Sequence, residues 1–184
     1  MRAVPRGGRE TTDPSLGTSC SPLDGGEARS GGALRDKLLG GRGPDVLFGL
    51  GGRDVLWGDL IPGSGAPDQR FGGDDGDTIY GGGPDLVDRG AGNDYLQDDD
   101  GADVIDGGPR ADHIHTDSGR DRVQAGAGND TIELLVAGAD SIDCGPGRDS
   151  VRVDGVDRLR NCERVSRAWR RGPGRTSRQA ADQP

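Results

Sequence analysis

The feature that most constrains this chain is a nine-residue repeat, which is clearest in residues 40–57. This stretch reads GGRGPDVLF and then GLGGRDVLW, so each unit has glycine at its first and fourth places, aspartate at its sixth and leucine at its eighth. The same frame can be followed over most of the chain. Repetition at a fixed short period is typical of solenoids, in which each unit buries its apolar side only against its neighbours.

The sixth-place aspartate recurs fourteen times, mostly in steps of nine residues. The column consists of Asp36, Asp45, Asp54, Asp68, Asp77, Asp85, Asp94, Asp103, Asp112, Asp121, Asp130, Asp140, Asp149 and Asp157. Two residues after each aspartate stands an aliphatic residue, with Arg70 as the exception. The alternative, an acidic disordered Gly/Asp tract that binds cations diffusely, requires no aliphatic column. The two columns together therefore favour an ordered repeat.

Composition narrows the classes of function. The 184 residues give room for one domain, and the 36 glycines have no three-residue period, which excludes collagen. A net charge of −9 disfavours nucleic acid and anionic lipid and attracts cations. No apolar run has the length of a membrane span, and no signal peptide is visible near the amino terminus. We therefore expect a cation-binding protein with no nucleic-acid partner and no membrane span.

The last places of each unit predict short strands. In residues 45–48, Leu47 is expected to point inward while Val46 and Phe48 point outward. The glycines before the aspartate permit the positive φ angles of a sharp turn. Two units then make one coil, and fourteen units make about seven coils whose parallel strands stack about 4.8 Å apart. The pattern predicts an all-β fold, a parallel β-roll (a β-helix or solenoid) with two opposed sheets and disordered termini.

The periodic region sets the expected boundaries of the domain. Residues 1–30 lack the period and predict a flexible leader, whereas residues 31–165 contain the roll and a C-terminal cap. Residues 166–184 are polar, basic and rich in glycine and proline, which predicts a disordered tail.

Stacked aspartates require a cation. Carboxylates about 4.8 Å apart repel each other by roughly 1 kcal/mol in water and by several at an effective dielectric constant near 20. Aspartate and backbone carbonyl oxygens are hard ligands that suit Ca²⁺, while Mg²⁺ demands stricter octahedral geometry. Cysteine and histidine are absent from the repeated places, so zinc is not indicated. We predict several bound Ca²⁺ ions.

The units resemble the haemolysin-type (RTX) calcium-binding repeat, whose pattern is G-G-x-G-x-D-x-apolar-x. The best matches are Gly40-Gly41-Gly43-Asp45, Gly90-Gly92-Asp94 and Gly126-Gly128-Asp130. The resemblance implies a parallel β-roll, Ca²⁺ between turns on the same edge, and folding after export. It implies metal ligands at Asp36, Gly41, Gly43, Asp45, Gly52, Asp54, Gly73, Asp77, Gly82, Asp85, Gly90, Gly92, Asp94, Gly101, Asp103, Asp112, Gly119, Asp121, Gly126, Gly128, Asp130 and Asp149.

Departures from the repeat reduce the expected number of filled sites. They are Ala66 and Arg70 around Asp68, Arg110 before Asp112, and Leu134 with Leu135 before Asp140. Residues 98–100 form a run of three aspartates, which we interpret as a charged turn and only secondarily as an extra Ca²⁺ contact.

The sequence favours a stand-alone, exported and non-catalytic calcium-binding roll with an extracellular or cell-surface location. The alternative is a calcium-dependent accessory module of a secreted enzyme, of the protease or epimerase type, whose catalytic domain is absent from this chain. No nucleophile, base and orienting acid can be assembled from its residues. An ice-binding solenoid would need a flat outward threonine array, but only Thr78 and Thr131 point outward.

Cys144 and Cys162 stand 18 residues apart, which is one coil. Stacked positions place Cα atoms near 5 Å, which is within disulfide range, so we expect a bridge that closes the last coil. Two free thiols are the alternative. A bridge would indicate an oxidising compartment and would support export. Cys20 is expected to be free or paired with another chain.

Outward residues offer two further hypotheses. Leu39, Trp57 and Tyr80 are expected on one sheet, where they form either a stacked ladder that covers the strands or a docking patch for a protein partner. His113 and His115 flank Ile114 and are expected to be solvated surface residues, with a transition-metal site as the alternative.

Overall fold

A computed structural model of the protein describes residues 23–26, 28–59, 65–98, 100–134, 138–154 and 157–167, and every regular element in these residues is a β-strand. The strands are β1 (Leu23–Asp24), β2 (Ala28–Ser30), β3 (Lys37–Arg42), β4 (Val46–Gly51), β5 (Val55–Asp59), β6 (Gln69–Asp74), β7 (Thr78–Tyr80), β8 (Leu86–Ala91), β9 (Tyr95–Gln97), β10 (Val104–Asp106), β11 (His113–Thr116), β12 (Arg122–Gln124), β13 (Thr131–Leu134), β14 (Ser141–Asp143), β15 (Ser150–Val153), β16 (Arg158–Arg160) and β17 (Arg164–Arg167).

The strands alternate between two parallel sheets. Odd-numbered strands form a nine-stranded sheet and even-numbered strands an eight-stranded sheet, so each strand pairs with the strand two further along the chain. The register keeps the repeat in step, because Ile105 lies opposite Val87 on one side and Val123 on the other. The predicted parallel β-roll of about seven coils is confirmed. Among the described residues, no helix is long and apolar enough to cross a membrane.

The core is a column of eighth-place side chains between the sheets. It contains Leu38, Leu47, Leu56, Ile79, Val87, Leu96, Ile105, Ile114, Val123, Ile132, Ile142 and Val151, each at most 1% exposed. Strand side chains alternate between two faces, so the sixth-place and first-place residues on either side of this column point inward as well. At the first place the later coils have the buried residues Ala125, Leu134, Cys144 and Val153.

The sheets extend beyond the boundaries predicted from the sequence. Strand β1 pairs with β3, and β2 pairs with β4, although both lie in the segment predicted as leader. The period is hidden there because Arg29 stands opposite Leu47, where an aliphatic residue is expected. At the other end, β17 pairs with β15 through Arg167. Residues 1–22, most of the predicted basic tail and the insertion at residues 60–64 lie outside the described residues.

A disulfide closes the last coil. Cys144 and Cys162 are bonded, with their Cα atoms 5.2 Å apart. Cys144 is fully buried in the first-place column, and the partly buried Cys162 packs against the core. Cys20 lies outside the described residues.

The thin core makes one inward aliphatic residue important. Ile105 is 1% exposed, whereas its neighbour Val104 on the same strand is 43% exposed. Ile105→Ala should lower the free energy of unfolding by about 2–5 kcal/mol, since it leaves a cavity between the sheets. Val104→Ala is the matched control and should cost about 0.5 kcal/mol or less. Denaturant unfolding in excess calcium measures both, and equal losses would contradict the inward assignment of the eighth place.

Candidate metal centres

Two columns of buried aspartates run along the roll, one at each edge. Ladder A comprises the aspartates that precede strands of the nine-stranded sheet: Asp36, Asp54, Asp77, Asp94, Asp112, Asp130 and Asp149. Ladder B comprises those that precede strands of the eight-stranded sheet: Asp45, Asp68, Asp85, Asp103, Asp121, Asp140 and Asp157. All fourteen are at most 8% exposed. Charged side chains are rarely buried to this degree unless they are paired.

One oxygen of each aspartate joins neighbouring coils. Within both ladders, the backbone N–H of an aspartate donates to Oδ1 of the aspartate one coil further on, at N···O distances of 2.7 to 3.2 Å. At the end of ladder A, the N–H of Asp149 donates to Oε2 of Glu163 at 2.9 Å. The carboxylates therefore fix the spacing and the register of the coils at both edges.

The second oxygen is buried without a donor at most positions. Oδ2 has no hydrogen-bond partner among the described residues at Asp54, Asp68, Asp77, Asp94, Asp103, Asp112, Asp130, Asp149 and Asp157. Burying an ionised carboxylate without compensation costs several kcal/mol. Nine such oxygens in two columns are therefore incompatible with a fully charged roll that contains no further cations.

The burial of these aspartates alters their acidity. Desolvation raises the pKa of Asp77 to about 7 and that of Asp103 to about 8, although in each case a backbone N–H of the preceding coil partly opposes the shift. Desolvation also raises the pKa of Asp54 to about 6 and that of Asp112 to about 7. Near neutral pH, a metal-free ladder is therefore partly protonated.

First-place glycines make room for the carboxylates. A Cβ on Gly49 would lie 2.5 Å from Oδ2 of Asp54, and a Cβ on Gly40 would lie 2.9 Å from Oδ2 of Asp45. Both distances are shorter than a real Cβ contact allows. This close approach explains glycine at the first place of the early units, where the sixth-place aspartate folds back against the start of its own unit.

The predicted turn glycines are of two kinds. Six have positive φ, which favours glycine: Gly41, Gly43, Gly52, Gly73, Gly90 and Gly126. Gly92, Gly101, Gly119 and Gly128 instead stack so closely on the turn of the preceding coil that a Cβ would strike its carbonyl oxygen. Gly82 has neither property, since its φ is not positive and the space around it is open. The structure therefore gives Gly82 no evident role in the turn.

The interpretation of residues 98–100 as a charged turn is wrong for Asp98. This first-place side chain is 0% exposed, because it continues the inward alternation of strand β9. Its ligand atoms lie within 4.8 Å of those of Asp85 and Asp103, and Arg70 pairs with both Asp85 and Asp98. Asp100 is exposed and accepts a hydrogen bond from Ser118.

Sequence reasoning missed the inward first place, with its three buried polar residues, and the ionic role of Arg70 at the eighth place. Arg70, Arg89, Asp98 and Thr116 are all 0% exposed and contribute side chains to the two edges. Thr116 Oγ1 donates to Oδ2 of Asp121 at 2.8 Å. Extending the in–out alternation from the eighth place to the first place of the next unit would have placed Arg89, Asp98 and Thr116 inside.

The outward face of the nine-stranded sheet has a row of half-buried rings. The ring centroids of Trp57 and Tyr80 are 5.6 Å apart, and Tyr95 and His113 continue the row. On the other sheet, Phe48 stacks on Phe71 at 4.9 Å. His115 lies between Asp117 and Glu133, at 3.4 and 3.9 Å from their oxygens, and is partly exposed like them.

Fold and ladders together define a class of protein, a parallel β-roll of Gly/Asp nonapeptides with buried edge carboxylates. Residues 30–60, 83–114 and 106–134 match the family model of the RTX calcium-binding nonapeptide repeat, in four copies. The chain therefore carries haemolysin-type (RTX) calcium-binding repeats, as the resemblance predicted, and several Ca²⁺ ions are the cofactors of such repeats. Among curated proteins and among solved structures, none matches the chain significantly.

The raised pKa values predict that protons can partly replace calcium. In the metal-free roll Asp77 and Asp103 titrate at about 7 and 8, against their ordinary value of 3.8. A raised folded-state pKa gives stability that is fully present below the unfolded value and is lost as the pH rises through the folded value. The metal-free protein should therefore have more β-structure near pH 4 than at pH 8, most of the loss occurring between about pH 6 and 8.

Far-UV circular dichroism of protein dialysed free of calcium tests this prediction. The control is the same pH series in excess calcium, where β-structure should persist at pH 8 because the ion replaces the proton. A metal-free signal that stays constant from pH 4 to 8 would contradict it.

Proposed function

We propose that this protein is a stand-alone calcium-binding β-roll in which Ca²⁺ between the coils completes folding. The observation that carries the proposal is the set of nine buried aspartate Oδ2 atoms without a hydrogen-bond donor among the described residues. Carboxylate oxygens in glycine-rich turns are the hard ligands that Ca²⁺ prefers, in sites of six to eight oxygens. The ligands we assign are the sixth-place aspartates whose Oδ2 faces no arginine, together with carbonyls of the turn glycines predicted from the sequence.

We further propose an exported, non-catalytic role at the cell surface or outside the cell. RTX repeats are typical of extracellular proteins, where calcium is plentiful. The disulfide between Cys144 and Cys162 supports the same location, because disulfides persist in oxidising compartments. Repeat coils occupy the part of the chain that the structure describes, which favours a binding or structural role.

A calcium titration of metal-free protein tests coupled folding. We expect a cooperative gain of β-signal in circular dichroism, reversal by a chelator and a much smaller effect of Mg²⁺, because binding free energy here is folding free energy. Equal compactness and thermal stability with and without calcium would overturn the proposal.

An isosteric substitution tests the ligand assignment in ladder A. Asp130→Asn keeps an oxygen that can accept from the N–H of Asp112 but removes the charge at the buried Oδ2. We expect fewer bound ions and a calcium midpoint raised several-fold, measured by equilibrium dialysis and circular dichroism. Asp75→Asn removes the same charge from an exposed residue whose φ of 74° asparagine tolerates, so its midpoint should stay near that of the wild type.

We also propose that Leu39, Trp57 and Tyr80 form a contact surface for a protein partner, in the simplest case a second copy of the chain. The three residues lie in register on neighbouring strands and are half-buried, and the row continues through Tyr95. Ring stacking along the row already accounts for part of this burial.

Replacing Trp57 and Tyr80 by serine should therefore shift sedimentation velocity in calcium from dimer to monomer. Phe48→Ser together with Phe71→Ser is the matched control on the other sheet, and it should leave the dimer intact. A monomeric wild type at high concentration would remove the contact surface and leave only the stacking.

A further inference from the structure

Arg70 is a charged residue in the middle of the apolar column. It occupies the eighth place of its unit on strand β6, and its side chain is 0% exposed. Nη1 donates to the backbone oxygen of Tyr80 at 2.7 Å. Nη2 forms a short ion pair with Oδ2 of Asp85 and lies 3.5 Å from Oδ2 of Asp98. The guanidinium therefore reaches from the core into ladder B and contacts the ends of two strands of the opposite sheet.

Arg89 places a second guanidinium at the other edge. It stands at the first place of its unit, within strand β8, and is also 0% exposed. Nη1 donates to the backbone oxygen of His113 at 3.3 Å, and Nη2 lies 3.9 Å from Oδ2 of Asp112. Arg89 thus faces ladder A, whereas Arg70 faces ladder B.

Glycines leave the space that each guanidinium fills. A Cβ on Gly81 would overlap the guanidinium of Arg70, and one on Gly58 would lie 2.8 Å from its Nη1. A Cβ on Gly107 would lie 2.5 Å from Nη2 of Arg89. All three glycines stand at first places beside the ladders. The chain therefore provides a cavity for a cation at each of these points and fills it with its own side chain.

The oxygens that the arginines face belong to the set that elsewhere has no donor. At Asp54, Asp94 and Asp130, for example, the buried Oδ2 atoms have no hydrogen-bond partner among the described residues. At Asp85 the equivalent Oδ2 accepts from Arg70, and at Asp112 it faces Arg89. A guanidinium keeps its charge in proteins, so it can neutralise a ladder without any metal ion.

Arg70 is the better compensated of the two. Burial opposes its charge, but the nearby aspartates, with Asp98 and Asp85 foremost, outweigh burial and raise its pKa. At Arg89 burial dominates and lowers the pKa, with Asp112 opposing. Arg70 also has the closer contacts, since it donates to Oδ2 of Asp85, whereas Arg89 lies 3.9 Å from Oδ2 of Asp112. We therefore expect Arg70 to stabilise the coils more than Arg89.

We propose that Arg70 and Arg89 are internal cations that take the place of Ca²⁺ at Asp85 and Asp112, so that strands β6 to β11 hold together without metal while the end coils require calcium. The inference rests on the proposed function for the end coils only. For the middle coils it departs from the repeat pattern, because a site that contains a guanidinium is closed to a divalent cation by volume and by charge.

Two substitutions restore the repeat pattern and test the proposal. Arg70→Leu returns an aliphatic residue to the eighth place, and Arg89→Gly returns glycine to the first place. Arg70→Leu removes the guanidinium from Asp85 and Asp98, whose ligand atoms and those of Asp103 lie within 4.8 Å of one another, so it should create a further calcium site. Arg122→Leu is the control, since this arginine is exposed on strand β12.

Hydrogen exchange of the metal-free protein and calcium stoichiometry are the readouts. In metal-free wild type, amides of strands β6 to β11 should exchange about tenfold more slowly than those of β3 to β5 and β13 to β15. Arg70→Leu should abolish this difference and should bind one more Ca²⁺ per chain in equilibrium dialysis. Arg89→Gly should reduce the difference in exchange rate for the strands beside ladder A. Arg122→Leu should change neither the exchange rates nor the calcium stoichiometry.

Uniform exchange along metal-free wild type, or an Arg70→Leu protein with unchanged exchange and unchanged stoichiometry, would overturn the proposal. If Arg70→Leu fails to fold even in calcium, Arg89→Gly and the wild-type exchange map still decide the matter. A wild type that binds no calcium would refute the proposed function, whereas the exchange comparison without metal would still support or contradict the role of the arginines.

Discussion

The structure depends on the carboxylates of the sixth-place aspartates, in which one oxygen has a hydrogen-bond donor and the other, at most positions, has none among the described residues. From Asp54 onward, one oxygen of each sixth-place aspartate in a ladder accepts the N–H of the aspartate one coil before it, so that the same group that carries the charge also spaces and aligns the coils. The other oxygen is buried, and at most positions it has no donor among the described residues. The hydrogen bond requires the aspartate to be inside, and burial then requires a counter-charge. Folding and cation binding are therefore parts of one equilibrium in this fold.

The periodic part of this arrangement could be predicted from the sequence because it depends on neighbours at a fixed spacing. An aspartate and an aliphatic residue two places apart, repeated every nine residues, determine strand direction, sheet membership and the core column. Arg70 contacts Tyr80, Asp85 and Asp98, which lie 10, 15 and 28 residues away, so no local pattern predicts its partners. Asp98 was misread for a similar reason, since a run of three acids resembles a solvated turn until the alternation is carried across the unit boundary.

The two edges of the roll differ in how regular they are. In ladder A the buried Oδ2 lacks a hydrogen-bond partner, among the described residues, at each of Asp54, Asp77, Asp94, Asp112, Asp130 and Asp149. In ladder B the column of Oδ2 atoms without a donor is interrupted, because Arg70 donates to Oδ2 of Asp85 and Thr116 donates to Oδ2 of Asp121. Leu134 and Val153 also bring apolar side chains to first places on that edge. Apart from Asp112, which faces Arg89, ladder A therefore offers the more continuous set of oxygen ligands, and ladder B is partly satisfied by the chain itself.

The first place of the unit shows how one position can stabilise the coils in three ways. Early coils have glycine there, as at Gly40 and Gly49, which leaves room for the carboxylate and relies on a cation. Middle coils have Arg89 and Asp98, which supply ionic partners from within the chain. Late coils have the apolar side chains Leu134 and Val153 and the disulfide-bonded Cys144, which enlarge a core that the eighth place alone keeps thin. The early coils should therefore depend most on bound calcium, because their first place adds neither charge nor apolar volume. Coils whose first-place side chain supplies an ionic partner or an apolar contact should depend on calcium less.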